Sequence, residues 1–413
     1  MKMNRKSKWI IAVALSAVVI LALGTYVKRS LKPVARLAAV PEERLLAAQI
    51  PGIPNARYYV ASDLEPLVRE VVAARERERV WLTSAGHEGE LPPAALLAIS
   101  GGGDNGAFGA GLLNGWTAAG TRPVFKAVTG VSTGALIAPF AFLGKEYDPV
   151  LQEVYTRISP EDVARERGVL AAITQDGMAD NRPLWKLISK YVDQKLLAAV
   201  AAEHAKGRLL LIGTTNLDAR QPVVWNMGVI AASGMPNALD LFRSILLASA
   251  AIPGAFPPSM IRVEVDGKPY DEMHVDGGAS AQVFMYPPGL KSAATALGET
   301  MQRKASVYVI RNSALAASWQ PVERRTIGIA GRAIDSLIYT QGFGDLFRIY
   351  LTTQRDGLDF NLAYIGPEFV YKDKKQQFET AYMKALYEYG YAQGRAGYSW
   401  RKLPPGLDVP YGQ

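Results

Sequence analysis

The sequence predicts an α/β fold with a mainly parallel sheet, and three observations carry that prediction. Between residues 94 and 292, apolar runs of strand length alternate with Ala- and Leu-rich helical stretches, the pattern of strand–helix–strand units. Two of the strands run directly into glycine-rich turns that open a helix. With 49% hydrophobic and 20% charged residues in a chain of 413, there is apolar material for a large core, which excludes a disordered protein.

Taken in order, Leu96–Ser100 reads as the first strand, Gly101–Gly111 as a glycine-rich turn and Leu112–Ala119 as a helix. Val124–Thr129 is the second strand; it leads through Gly130-Val-Ser132-Thr-Gly134 into the helical Ala135–Leu143. Arg208–Leu217 is a further strand, and Asp266-Gly267 marks a hairpin turn before a strand ending at Val275. Beyond residue 293, Ser306–Arg311 reads as a strand, Glu323–Tyr339 as a helix and Gln376–Ala392 as the last helix. Phe378, Tyr382, Leu386 and Tyr389 lie on one side of that last helix, a stripe expected to dock on the core rather than to face lipid. Upstream, residues 28–93 form a proline-punctuated connector around one helix, Leu64–Trp81.

The formal net charge of +8 comes from 46 Lys and Arg against 38 Asp and Glu, and the excess is local. Lys2, Arg5, Lys6, Lys8, Lys28, Arg29, Lys32 and Arg36 all precede residue 37, with no acid among them. The body is therefore neutral, which argues against a nucleic-acid partner. The absence of cysteine excludes disulfides, a thiol nucleophile, Cys-ligated zinc and iron–sulfur clusters. Only His87, His204 and His274 are present, too few for a site of several imidazoles, and His87 and His204 read as surface residues. No metal-ligand cluster is apparent, so neither calcium nor zinc is expected, and no cofactor is implied.

Ile10–Val27 is an uncharged run of 18 residues between basic flanks, long enough to span a bilayer. It is read first as an uncleaved transmembrane anchor. A cleaved signal peptide with Ala22-Leu-Gly24 at its cleavage site is the alternative, and a buried core helix is a third reading. Each flank carries four bases, so their count does not set the orientation. A short charged head usually stays in the cytoplasm, which places the body in a periplasm-like space.

The glycine-rich turn exposes backbone N–H groups at the positive end of a helix and suits an anion. Gly101, Gly103 and Gly106 satisfy a dinucleotide-binding spacing, but that reading needs an acid about 20 residues on. No Asp or Glu occurs between Ala107 and Lys145. An oxyanion formed only in a transition state is the better match, with a purely structural turn as the remaining alternative. The second strand supports this, because strand, G-x-S-x-G and helix is the context of a nucleophile elbow. Ser132 is then the candidate nucleophile, with Gly130 and Gly134 leaving room for the tight turn. Its proton needs a base. No histidine follows His274, so a chain-order Ser–acid–His triad is excluded. The candidate acid is Asp276, at the end of a strand and before Gly277-Gly278, although Asp-Gly-Gly is also an ordinary turn.

Together these segments resemble the patatin-like phospholipase family. A fourth block, Leu246-Leu-Ala-Ser-Ala-Ala-Ile-Pro-Gly-Ala-Phe-Pro-Pro258, adds to the likeness, which covers roughly residues 94–292. The resemblance implies a three-layer α/β/α sandwich and a Ser132–Asp276 dyad cleaving fatty-acyl esters of lipids through an acyl-enzyme. It implies an oxyanion hole in the turn formed by Gly101, Gly102, Gly103 and Gly106, with the amides of Gly102 and Gly103 as donors. The family commonly has Arg or Lys where this chain has Asn105, which removes a cation that could meet an anionic headgroup. The expected organisation is a basic head (1–9), an anchor or signal segment (10–27), a connector (28–93), a catalytic domain (94–292) and a C-terminal extension (293–413). That extension either completes the sheet's helical layer or caps the acyl site. The expected partners are a phospholipid or other lipid ester and a membrane. Two competing readings use the same fold: a non-catalytic scaffold or lipid-binding protein, and an acyltransferase or thioesterase with the same dyad.

Overall fold

A computed structural model describes residues 34–168, 175–316, 319, 321–372 and 374–407. The anchor expected at residues 10–27 lies outside them. Among the described residues no helix is long and apolar enough to cross a membrane, so the single transmembrane helix finds no support there.

Nine strands form one sheet: β1 (Arg57–Tyr58), β2 (Ala94–Ile99), β3 (Phe125–Val131), β4 (Leu209–Asn216), β5 (Gln221–Asn226), β6 (Ser259–Val265), β7 (Lys268–Asp276), β8 (Ala305–Ala314) and β9 (Asp359–Ile365). The order is β1-β5-β4-β3-β2-β8-β9, with the β6–β7 hairpin attached through β7 to β4. The parallel part is confined to five strands, β4-β3-β2-β8-β9. Beyond it, β1, β5 and the hairpin pair antiparallel. The middle of the sheet is covered on both faces, and β4 is buried along its whole length, the pattern of a parallel core. The hairpin instead alternates buried and exposed positions along β6, and its turn residues Asp266 and Gly267 both take positive φ, at 50° and 75°, which suits the twist of a two-residue loop.

Helices form a layer on each face. One layer contains α1 (Glu65–Ser84) and the inner half of α7 (Thr326–Asp356). The other contains α2 (Gly106–Ala118), α3 (Thr133–Leu143), α4 (Asp148–Arg157), α5 (Gln194–Ala205), α6 (Ala238–Ser249) and α8 (Thr380–Arg395). The C-terminal extension thus supplies two strands of the sheet and a helix on each face of it. Helix α7 runs well past the expected end at Tyr339. Gly342 and Gly344 cost a helix about 1 kcal/mol each relative to Ala, but burial of Leu346 and Ile349 in the core outweighs this. Helix α8 starts at Thr380, because Phe378 has φ 59°. The aromatic stripe therefore loses Phe378 from the helix, while Tyr382, Leu386 and Tyr389 pack on the core.

Helices α2 and α8 cross with their backbones in contact. A Cβ at Gly111 or Gly115 would fall 2.1 Å from the carbonyl oxygen of Tyr387 or Tyr391, and one at Gly390 or Gly394 would fall 2.4 Å from that of Phe108 or Leu112. Side chains at these positions would push the helices apart, and overpacking of this kind costs about 3 kcal/mol or more. Gly115→Val is expected to lower the melting temperature by at least about 5 °C. A calorimetric scan showing no shift would mean that the crossing is not a close contact in solution.

His204 is buried rather than on the surface. It lies on α5 against residues 227–232, where a Cβ at Gly228 would come 2.4 Å from its Nδ1. Desolvation, followed by the nearby Arg77, lowers its pKa. His87 is exposed.

Candidate active site

The site is built on β4. Strand β3 runs parallel along one edge of β4 and ends with Val131 opposite Gly213. Strand β7 comes down the same edge from the other direction and ends with Asp276 opposite Thr214. The two strands finish head to head on consecutive residues of β4. Ser132 and Asp276, distant in sequence, are thereby brought together, and both are buried.

Ser132 takes φ 55° and ψ −126°, a conformation that costs a non-glycine residue of order 1–3 kcal/mol. The surroundings hold it there. Its N–H donates to Ser249 Oγ at 3.0 Å, and that hydroxyl donates to Gly213 O at 2.7 Å. A Cβ at Gly130 would fall 2.4 Å from Gly134 O, and one at Gly134 would fall 2.2 Å from Ile99 O. Both elbow glycines are thus required by close backbone approach.

Asp276 Oδ1 accepts from Gly278 N–H at 2.7 Å, and its backbone N–H donates to Ala251 O at 2.9 Å. Its Oδ2 is buried without a well-formed hydrogen bond. Burial pushes the carboxyl up to about 7, opposed by the neighbouring Ser132 hydroxyl and the Gly278 amide. Beneath it, His274 is fully buried and hydrogen-bonds to Thr214 Oγ1 at 2.9 Å and Glu272 Oε2 at 3.1 Å. Desolvation, with Arg57 nearby, holds the imidazole well below its ordinary pKa. Glu272 is in turn paired with Arg57. The strand that delivers Asp276 is thus fixed by a buried polar network, and the histidine serves that network rather than the serine.

The four turn glycines are not equivalent. The N–H of Gly101 donates to Gln282 O at 3.0 Å, and that of Gly106 donates to Gly103 O and Asp104 O as α2 begins. Neither is available to an oxyanion, which corrects the expectation for those two residues. The N–H groups of Gly102 and Gly103 have no partner among the described residues, and positive φ values of 155° and 58° shape the turn around them. Asn312 braces it: its N–H and Nδ2 bind Ser100, its Oδ1 accepts from Gly109 N–H, and a Cβ at Gly102 would collide with its carbonyl. Asn105 accepts from Tyr382 Oη at 2.6 Å. A cation does approach the turn from elsewhere, since Lys374 pairs with Asp104 at 2.8 Å.

Sequence reasoning did not single out Ser249, Gln282 or Asn312. Only Ser249 carried a signal, through its place in the block 246–258.

No curated protein sequence matches the chain. Among solved structures, VipD from Legionella pneumophila aligns with a TM-score of 0.32 at 10% identity, over 74% of this chain and 67% of that one. Human GIVD cytosolic phospholipase A2 aligns with a TM-score of 0.31 at 11% identity, over 76% of this chain and 55% of that one. The type III effector protein ExoU aligns with a TM-score of 0.26 at 14% identity, over 74% of this chain and 53% of that one. These overlaps are distant and carry no weight in the assignment. Residues 97–286, the stretch containing Ser132, Ser249 and Asp276, match the family model for patatin-like phospholipases, and this part of the chain is a patatin-like phospholipase domain.

Proposed function

We propose that the chain is a serine acyl hydrolase that cleaves fatty-acyl esters of lipids. One observation carries the reading: β3 and β7 end head to head on β4, which sets a strained serine beside a buried carboxyl of raised pKa. Ser132 Oγ attacks the ester carbonyl while Asp276 takes its proton. The N–H groups of Gly102 and Gly103 hold the oxyanion of the tetrahedral intermediate. The intermediate collapses, Asp276 returns the proton to the leaving alkoxide, and the acyl group stays on Ser132. Water, deprotonated by Asp276, then attacks the acyl-enzyme, and Asp276 returns that proton to Ser132 Oγ as the fatty acid leaves. A carboxyl near 7 is a stronger base than an ordinary aspartate and still ionises at neutral pH, the compromise general base catalysis favours. Membrane attachment and a periplasm-like location belong to the same proposal; they rest on the sequence of residues 1–36.

Covalent trapping tests this reading. The chain incubated with a long-chain fluorophosphonate is expected to gain one adduct, mapped by mass spectrometry to Ser132, in step with loss of fatty-acid release from phospholipid vesicles. An adduct elsewhere, or none, would count against Ser132 as nucleophile.

A further inference from the structure

A cavity lies at the opposite end of the sheet from Ser132. It occupies about 200 Å³ beneath α1, bounded by Ala127, Leu211, Met285 and Leu290. An apolar cavity of about 150 Å³ already binds a benzene-sized guest. Its sheet residues Ala94, Lys126, Ala127, Leu209 and Ala305 stand at the amino ends of their strands, whereas Ser132 follows the carboxyl end of β3. The separation is one strand length, roughly 15–20 Å.

The polar groups at its rim are mostly cationic: Arg75, Lys126, Lys291 and Arg303, with Asp356 as the one carboxylate. Three of the four cations gather at one mouth, around α1. Lys126 and Arg303 share the single carboxylate of Glu78, at 2.8 and 2.7 Å, and Arg75 binds the carbonyl oxygen of Thr300 at 2.5 Å. Lys291 makes no ion pair among the described residues, and Asp356 is already engaged by Arg355 at 2.8 Å and Tyr286 at 3.1 Å. An apolar chamber with uncompensated positive charge at its mouth matches a molecule with an apolar chain and an anionic head.

We propose that this cavity is a binding site for the chain of a fatty carboxylate, with its head on Lys126 and Arg303. Lys126 Nζ is buried 2.8 Å from Glu78 without a well-directed hydrogen bond, so its ammonium is under-satisfied where it stands. Desolvation lowers that ammonium to about 8, with Glu78 opposing the shift and Arg303 and Arg208 adding to it. A carboxylate at the mouth would supply the counter-charge that one glutamate shared by two cations does not. The assignment rests on the cavity and its cations, not on ester hydrolysis.

The test uses the full chain and calorimetric titration with decanoate, decyl phosphate and decanol. Wild type is expected to bind decanoate, and Lys126→Met to weaken it about tenfold, the size of one lost charge-assisted hydrogen bond, while decanol affinity holds within about twofold. Val71→Trp, which fills the chamber from α1, should abolish both. Protein blocked at Ser132 by a fluorophosphonate should bind decanoate unchanged. Loss of binding on that blockade would put the ligand in the catalytic site and overturn the proposal, as would undiminished binding by Val71→Trp. Preference for decyl phosphate over decanoate would overturn the carboxylate assignment. No arm reads ester hydrolysis and only the blockade arm needs Ser132 to react, so an inert, unlabelled chain would refute the proposed function and leave the decanoate, Lys126→Met and Val71→Trp results standing.

Discussion

Ser132→Ala is expected to abolish fatty-acid release, lowering kcat by roughly four orders of magnitude or more, as for other serine nucleophiles. Only Oγ is removed, and the elbow that holds residue 132 at positive φ is imposed from outside by Ser249, Gly213, Gly130 and Gly134. The variant should therefore fold with unchanged circular dichroism and melt within about 2 °C of wild type, since a change of about 1 kcal/mol shifts a domain of this size by no more. Assays on vesicles and on a soluble short-chain ester should both fall to background. Residual turnover at a tenth of the wild-type rate would show that the nucleophile is another group.

Asp276→Asn separates activity from stability in opposite directions. Activity should fall roughly 10⁴-fold, because the amide cannot accept the serine proton. In wild type, kcat/KM should rise tenfold per pH unit up to about 7, as Asp276 ionises. The stability effect follows from the same carboxyl, whose folded-state pKa is raised from 3.8 to about 7. Below 3.8 it is protonated in both folded and unfolded chains. Between those values the folded state alone keeps its proton, so this group's contribution to stability is lost as pH rises through the window. Above 7 the native state carries a buried carboxylate, at a cost of up to about 4 kcal/mol for three pKa units. Asparagine removes that cost, so the variant should melt above wild type at pH 8, with the gap closing below pH 4. A variant less stable than wild type at pH 8 would contradict a penalised carboxylate.

The features legible in the sequence are those made by local turn chemistry. Gly130, Gly134 and Gly277 stand where another backbone approaches closely, and the motifs Gly130-Val-Ser132-Thr-Gly134 and Asp276-Gly277-Gly278 are visible without any tertiary knowledge. What distinguishes Gly102 and Gly103 from Gly101 and Gly106 shows only in the fold: one amide is taken by Gln282, from a segment far along the chain, and one by the turn that leads into α2. Ser249 and Asn312 act through single polar side chains and Gln282 through its backbone carbonyl, none of which leaves a periodic trace. Among the elements, β5 hides its apolar Val223-Val-Trp225 between Gln221-Pro222 and Asn226, and β9 follows helix α7, which runs on past Tyr339 to Asp356. His204 reads as a surface residue because its neighbours Glu203 and Lys206 are charged, whereas its helix turns that face inward.

The junction on β4 has a consequence for how loss of function would look. Ser132 and Asp276 are presented by two separate strands whose relative height is set by their pairing with a third. Sliding β7 by one residue along β4 would move Asp276 by about 3.3 Å and turn its side chain to the other face of the sheet. A relative with both motifs intact could thus be inert through an insertion or deletion in the hairpin or in the loop before it. Activity in this architecture is a property of alignment between strands, and an inventory of preserved residues would miss its disappearance.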